Sequence, residues 1–170
     1  MSEPSPLSLR ALKRIQGQVA DGIHGGQPRR FEGPVITQAL ASVGIDFPAP
    51  WCAAIQFYNH AQEETPAEPS HCPRTAGAIH MAERAPPWTR LDGPRPGAVG
   101  ILKHKDGHSG HVVQCEYVGP LPGQVTTCEG DTNAAGSSTG DAAGRHSWEP
   151  DSGDRGELLG WFDFGLQPTS

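Results

Sequence analysis

Apolar residues follow two regimes along the chain. Up to about residue 85 they recur every three or four positions, and from residue 98 they form short β-like blocks. The stretch LSLRALKRIQGQVADGI carries Leu9, Leu12, Ile15 and Val19 at helical spacing and predicts a first helix. HGGQPRRFEGP breaks it, and VITQALASVGI predicts a second, short helix ending at Gly44. Beyond the stiff turn DFPAP the pattern predicts a third helix over roughly 51–63, with Ala54, Ile55, Tyr58 and Ala61 on one face. Residues 64–74 are polar and Pro-rich, hence a loop, and TAGAIHMAERA at 75–85 is a fourth helix.

The period then changes. AVGILKH (98–104), HVVQCEYV (111–118) and QVTTCEG (124–130) read as strands, with GPLPG as the turn between the last two. A long small-residue loop, DTNAAGSSTGDAAG (131–144), follows, and RHSWE and LLGWFDF are placed to close the sheet. Helices first and antiparallel strands afterwards make the fold class α+β.

With 170 residues the chain is one domain, 1–170, with a polar lead-in over 1–32 and a core over roughly 33–165. Its 22 Gly and 17 Pro favour a loop-rich globule over a helical bundle. The net charge of −6 gives a nucleic-acid partner no general attraction, and no apolar run approaches membrane-spanning length. The N-terminus lacks the continuous apolar core of a cleavable signal peptide, so the expectation is synthesis in the cytoplasm and some other route to any site outside it. Four cysteines (52, 72, 115, 128) form no CxxC pair.

The chemistry turns on PAPWCAAIQFYNH. Cys52 stands where a Pro-stiffened approach becomes a helix, and a helix start favours thiolate over thiol. Taken alone, such a cysteine is more often simply buried. His111 opens a strand after the turn DGHSG, and Glu129 ends the next strand, with Asp131 two residues on. A thiol at a helix start, a histidine on a strand and a polar group orienting that histidine are the parts of a papain-type cysteine hydrolase. Opposed strand residues share a face, so His111, Cys115, Glu129 and Asp131 fall on one side if the hairpin pairs with an even residue sum. Cys128 then falls on the other, which excludes a bridge between Cys115 and Cys128. Trp51 has two readings, a wall of the substrate cleft or a core aromatic, and the loop over 131–144 is either a surface loop or a border of the cleft.

PWCAAI, PGAVGILKHKDGHSGHVV and TTCEGDTN together resemble the CHAP family of cysteine, histidine-dependent amidohydrolases/peptidases, kin of the NlpC-type peptidases. The resemblance covers roughly residues 33–165. It implies a papain-like fold, with the N-terminal helices packed on the antiparallel sheet, and cleavage of peptidoglycan as a muramoyl-L-alanine amidase or as an endopeptidase of the stem or cross-bridge peptide. It implies Cys52 as nucleophile, His111 as general base and acid, and Glu129 as the group orienting it. Many relatives carry Asn two residues after that Glu. Here the position is Asp131, with Asn133 two further on, so Asp131 stands as a further catalytic candidate, an alternative to Glu129 for polarising the imidazole, and Asn133 as a source of the amide and a substrate-binding candidate. Some relatives bind calcium before the cysteine. GIDFPAP offers only Asp46, so neither a metal nor a cofactor is expected.

The oxyanion hole is expected to use the Cys52 backbone N–H plus a second donor. The implied partner is peptidoglycan, met by a monomer in the wall or periplasm of a host or target cell. The setting is a phage-type endolysin, or a secreted antibacterial effector paired with an immunity protein. Two other readings stand: a zinc protein using His104, His108 and His111, and a non-catalytic wall-binding module.

Overall fold

The computed structural model describes residues 3–24, 31, 33–119, 121, 123–132 and 142–168. Four helices, α1 (Pro6–Ala20), α2 (Pro34–Ser42), α3 (Cys52–Glu63) and α4 (Ala78–Arg84), precede almost the whole of one antiparallel sheet. Its strands are β1 (Arg90–Leu91), β2 (Val99–Lys103), β3 (Gly110–Val118), β4 (Val125–Thr132), β5 (Ala142–Trp148) and β6 (Glu157–Phe162). They lie in the order β1-β6-β2-β3-β4-β5. The α+β class is therefore as the sequence reads. The last strand does not close the sheet; it inserts between β1 and β2. Among the described residues no helix is long and apolar enough to cross a membrane.

The helices bury different stripes from those the apolar spacing marks. In α1 the buried set is Leu7, Ser8, Ala11, Leu12 and Ile15, so Leu9 is off the stripe. Ser8 is inside because its hydroxyl donates to Asp163 Oδ1 at 2.7 Å. In α3 the buried set is Cys52–Gln56, Asn59 and His60, not Tyr58 and Ala61. This helix is enclosed by α1, α2, α4 and the sheet, so even polar positions are covered. Asn59 meets Gln18 through two amide bonds of 2.8 and 2.9 Å, and His60 packs edge-on against Phe164.

Trp51 is a core residue and not a cleft wall. It is fully buried among Ile36, Leu40, Ala54 and Ile55. The chain makes room for it at Gly130, where a Cβ would collide with the Trp51 and Ile55 side chains.

Asp163 ties the two ends of the chain together. It accepts from the Ser5 backbone at 2.8 Å, from the Ser5 and Ser8 hydroxyls, and from Arg95 at 2.7 Å. Burial pushes its carboxyl upward, but these donors outweigh it and hold the pKa below the ordinary value. Removing the carboxylate leaves Arg95 and the serines without it. Asp163→Ala is expected to cost about 3–5 kcal/mol of stability, read as a lowered urea midpoint with an unchanged slope.

Candidate active site

Four strand ends meet at one rim of the sheet. The end of β2 pairs with the start of β3 (Leu102↔His111, Lys103↔Gly110), and β6 begins against Lys103 at Glu157. The β3–β4 register is Val113↔Glu129, an even sum. His111 and Glu129 therefore share a face, as hairpin parity requires, and meet as diagonal neighbours. The parity holds as far as Cys115↔Thr127 and shifts at an irregularity before Tyr117. Cys115 and Cys128 pack in different clusters, and all four cysteines are free thiols.

Cys52 is the first residue of α3, and no side chain caps that helix start. The backbone N–H groups of the first turn have no partner within the helix, and their dipoles converge on this end. Cys52 is 4% exposed. It borders an open cavity of about 210 Å³ between Pro50, the Ala76–His80 segment and the His108–Gly110 turn. The other thiols lack this setting. Burial raises Cys72, and it pushes Cys115 and Cys128 up to about 12.

His111 is buried between two partners. Its Nε2 lies 2.9 Å from Glu129 Oε2. Its Nδ1 is buried with no nitrogen or oxygen partner, and the group acting from that side is Cys52. Burial pushes the imidazole down, but bonding to Cys52 and Glu129 and their charges outweigh it and raise the pKa to about 9. Glu129 shows the converse. Burial pushes its carboxyl up, but Arg155 and then His111 bring it down to about 2. An ionised carboxylate only accepts, so Nε2 carries a proton in both charge states of the ring; the second proton of the imidazolium is on Nδ1, and only the neutral ring has Nδ1 bare.

Glu129 is fully buried and meets four donors. Oε1 accepts from Thr127 Oγ1 at 2.5 Å and Arg155 Nη1 at 2.6 Å, while Oε2 accepts from His111 and from Arg155 Nη2 at 2.7 Å. Trp148 Nε1 donates to Thr127 Oγ1 at 3.0 Å, and the Arg155 guanidinium lies 5.1 Å from the Trp148 ring centre. Sequence reasoning did not find Arg155, Thr127 or Trp148. Parity alone could have placed Thr127 beside Glu129. Nothing in the spacing ties residue 155 to 129.

Asp131 is buried at a break in the β4–β5 register, with a left-handed backbone (φ 57°). The carboxylate on His111 Nε2 is that of Glu129. Asn133 and most of the 131–144 loop lie outside the described residues. The three histidines of the zinc reading do not converge. His104 Nδ1 pairs with Ser109 Oγ at 3.0 Å, His108 sits exposed in a turn held by Asp106, and His111 faces Glu129. Among the described residues no cluster of three His, Cys, Asp or Glu is arranged to hold a metal ion.

No family profile and no curated protein matches the sequence. Solved structures do share its fold. A crystal structure of Ly7917 superposes with a TM-score of 0.54 at 16% identity, over 92% of this chain and 61% of that one. Ly7917 with the hydrolyzing product of MDP gives a TM-score of 0.51 at 14% identity, over 93% of this chain and 63% of that one. The chain thus spans less than two thirds of these proteins, and at such identity the likeness is one of fold.

Proposed function

We propose that this chain is a cysteine hydrolase of the CHAP type that cleaves an amide bond of peptidoglycan. The observation that carries the reading is the convergence of Cys52, His111 and Glu129, from a helix start and two strands, in the order thiol, imidazole, carboxylate. A hydrolysis product of MDP held by a protein of like fold agrees with a wall substrate.

In this mechanism the Cys52 thiolate attacks the amide carbonyl, with His111 as the imidazolium. Sulfur bonds to carbon, and the carbonyl oxygen takes the negative charge, met by backbone N–H groups of the α3 start. As the C–N bond breaks, His111 Nδ1 gives its proton to the departing amine, leaving a thioester. Water then attacks the thioester carbon, His111 takes the water proton, and the freed acid leaves the thiolate restored. Glu129 stays ionised throughout and holds Nε2–H.

Digestion of purified peptidoglycan, with mass analysis of the fragments, tests the reading and identifies the bond. New amine and carboxyl ends between muramic acid and L-alanine mark an amidase, and new ends within the peptide mark an endopeptidase. Undigested wall from several sources overturns the proposal. The rate is expected to fall as pH rises through about 9, where His111 gives up its proton. The biological setting we propose is that of a lysin or an injected antibacterial effector. A neighbouring holin gene marks the first, and a small exported inhibitor marks the second.

A further inference from the structure

We propose that Arg155 is a positioning residue of this site: its guanidinium fork fixes the orientation and charge of Glu129, and Glu129 in turn fixes the tautomer of His111. Arg155 lies between Gly153 (φ 69°) and Gly156 (φ 114°), just before β6. Both glycines hold backbone that L side chains rarely adopt. A Cβ on Gly156 would also run into the Lys103 backbone. This tight segment brings Arg155 to the rim where His111 and Glu129 meet. The guanidinium is mostly buried, with 15% of its side chain exposed against none for Glu129.

The donor count gives the fork its role. Both oxygens of Glu129 face Arg155, at 2.6 and 2.7 Å. Guanidinium offers donors only, so both oxygens must accept. A protonated Glu129 would put its hydroxyl against another donor, or turn it toward His111 Nε2. The second arrangement would place the proton of the neutral imidazole on Nδ1, and that ring would have no bare nitrogen with which to take a proton from Cys52. A lysine supplies the same charge at one point and cannot hold two oxygens at once. The remaining bond of Oε1, from Thr127, is itself braced by Trp148, on which the guanidinium stacks.

Other titratable groups border this cluster. His104 lies in the β2–β3 turn, His146 on β5, and Asp131 two residues along β4. Burial holds both histidines below the ordinary value, and each also feels His111 and Arg155.

The inference rests on the hydrolase reading, but its test needs no substrate. The rate of Cys52 alkylation by iodoacetamide is followed against pH by mass spectrometry. The proteins are the parent, Arg155→Gln, Arg155→Lys, Glu129→Gln and the double variant Arg155→Gln/Glu129→Gln, with near-UV circular dichroism to confirm folding. For Arg155→Gln the acidic limb is expected to move up by about one pH unit, with about tenfold slower alkylation at pH values on that limb. Arg155→Lys is expected to move it less, but measurably. In the Glu129→Gln background, Arg155→Gln is expected to add almost nothing, because the two act as one unit. An unmoved limb in either folded Arg155 variant, or a shift as large without Glu129 as with it, overturns the proposal. Failure of the parent to cut peptidoglycan leaves these profiles standing and removes the hydrolase reading instead.

Discussion

Cys52→Ala is expected to leave a folded protein with no measurable cleavage of peptidoglycan, a loss of about 10⁴-fold or more in turnover. Removing a nucleophile that acts as a unit with its base costs most of the chemical rate, because the residue left behind cannot form the covalent intermediate. The structural cost is small by comparison. Cys52 contributes one small side chain to a cluster that also contains Val99, Ile101, Met81 and Phe162. The helix start does not rely on its side chain, since the first-turn bond runs from Ile55 N to Trp51 O at 2.9 Å. A second readout accompanies the loss. Bonding to Cys52 is the strongest of the effects raising His111, so the imidazole of the variant is expected to titrate below about 9. Histidine NMR against pH checks this. Retained cleavage by a folded Cys52→Ala protein removes Cys52 as nucleophile. An unmoved His111 titration removes the pairing of the two side chains.

How the site could be read from the sequence differs from part to part. Cys52 and His111 were legible because each sits at the boundary of an element that local pattern defines, a Pro-stiffened helix start and a Gly-rich turn; Glu129 was legible from the strand pattern of QVTTCEG, although β4 runs on past it to Thr132. Parity then sufficed to bring two of them together, since the alternation of side chains survives a change of register by two. Arg155 was not legible. Its approach depends on β6 inserting beside β2, a pairing of residues more than fifty positions apart that no periodicity encodes. Of the two readings of Trp51 the core one holds, for a related reason. Adjacency to the nucleophile in sequence means little at a helix start, where successive side chains point about 100° apart, and the opposing surface at Gly130 comes from a distant strand. The stripes of α1 and α3 differ because tertiary partners such as Asp163 and Gln18 satisfy buried polar atoms that the hydrophobic pattern counts as exposed.

Glu129→Gln is expected to reduce turnover by about 10²- to 10⁴-fold and to destabilise the fold by about 3–5 kcal/mol. An amide has one accepting oxygen and one donating nitrogen, whereas this position must satisfy four donors. If the oxygen faces His111, the amide nitrogen meets Thr127 and one arm of Arg155. If it faces the other way, the nitrogen meets Nε2, and the imidazole is driven to the wrong tautomer. In both cases a mostly buried guanidinium loses its counter-charge. The kinetic loss is expected in kcat more than in KM, because the carboxylate stabilises the imidazolium and does not border the cavity beside Cys52. Asp131→Asn is expected to have the smaller effect; a larger one moves the orienting role to Asp131.

The stability difference between parent and Glu129→Gln should itself depend on pH. Glu129 is held below its ordinary pKa, so its contribution is complete above the ordinary carboxylate range and is lost as pH falls from there toward about 2. His111 is held above its ordinary value, so its contribution is complete below about pH 6.5 and is lost as pH rises through about 9. Urea unfolding of the two proteins side by side should therefore show the widest gap between about pH 5 and 6.5, narrowing on both sides. A gap that stays constant from pH 3 to pH 9 means that the carboxylate and imidazole are not charged partners in the folded protein, whatever the distance between them.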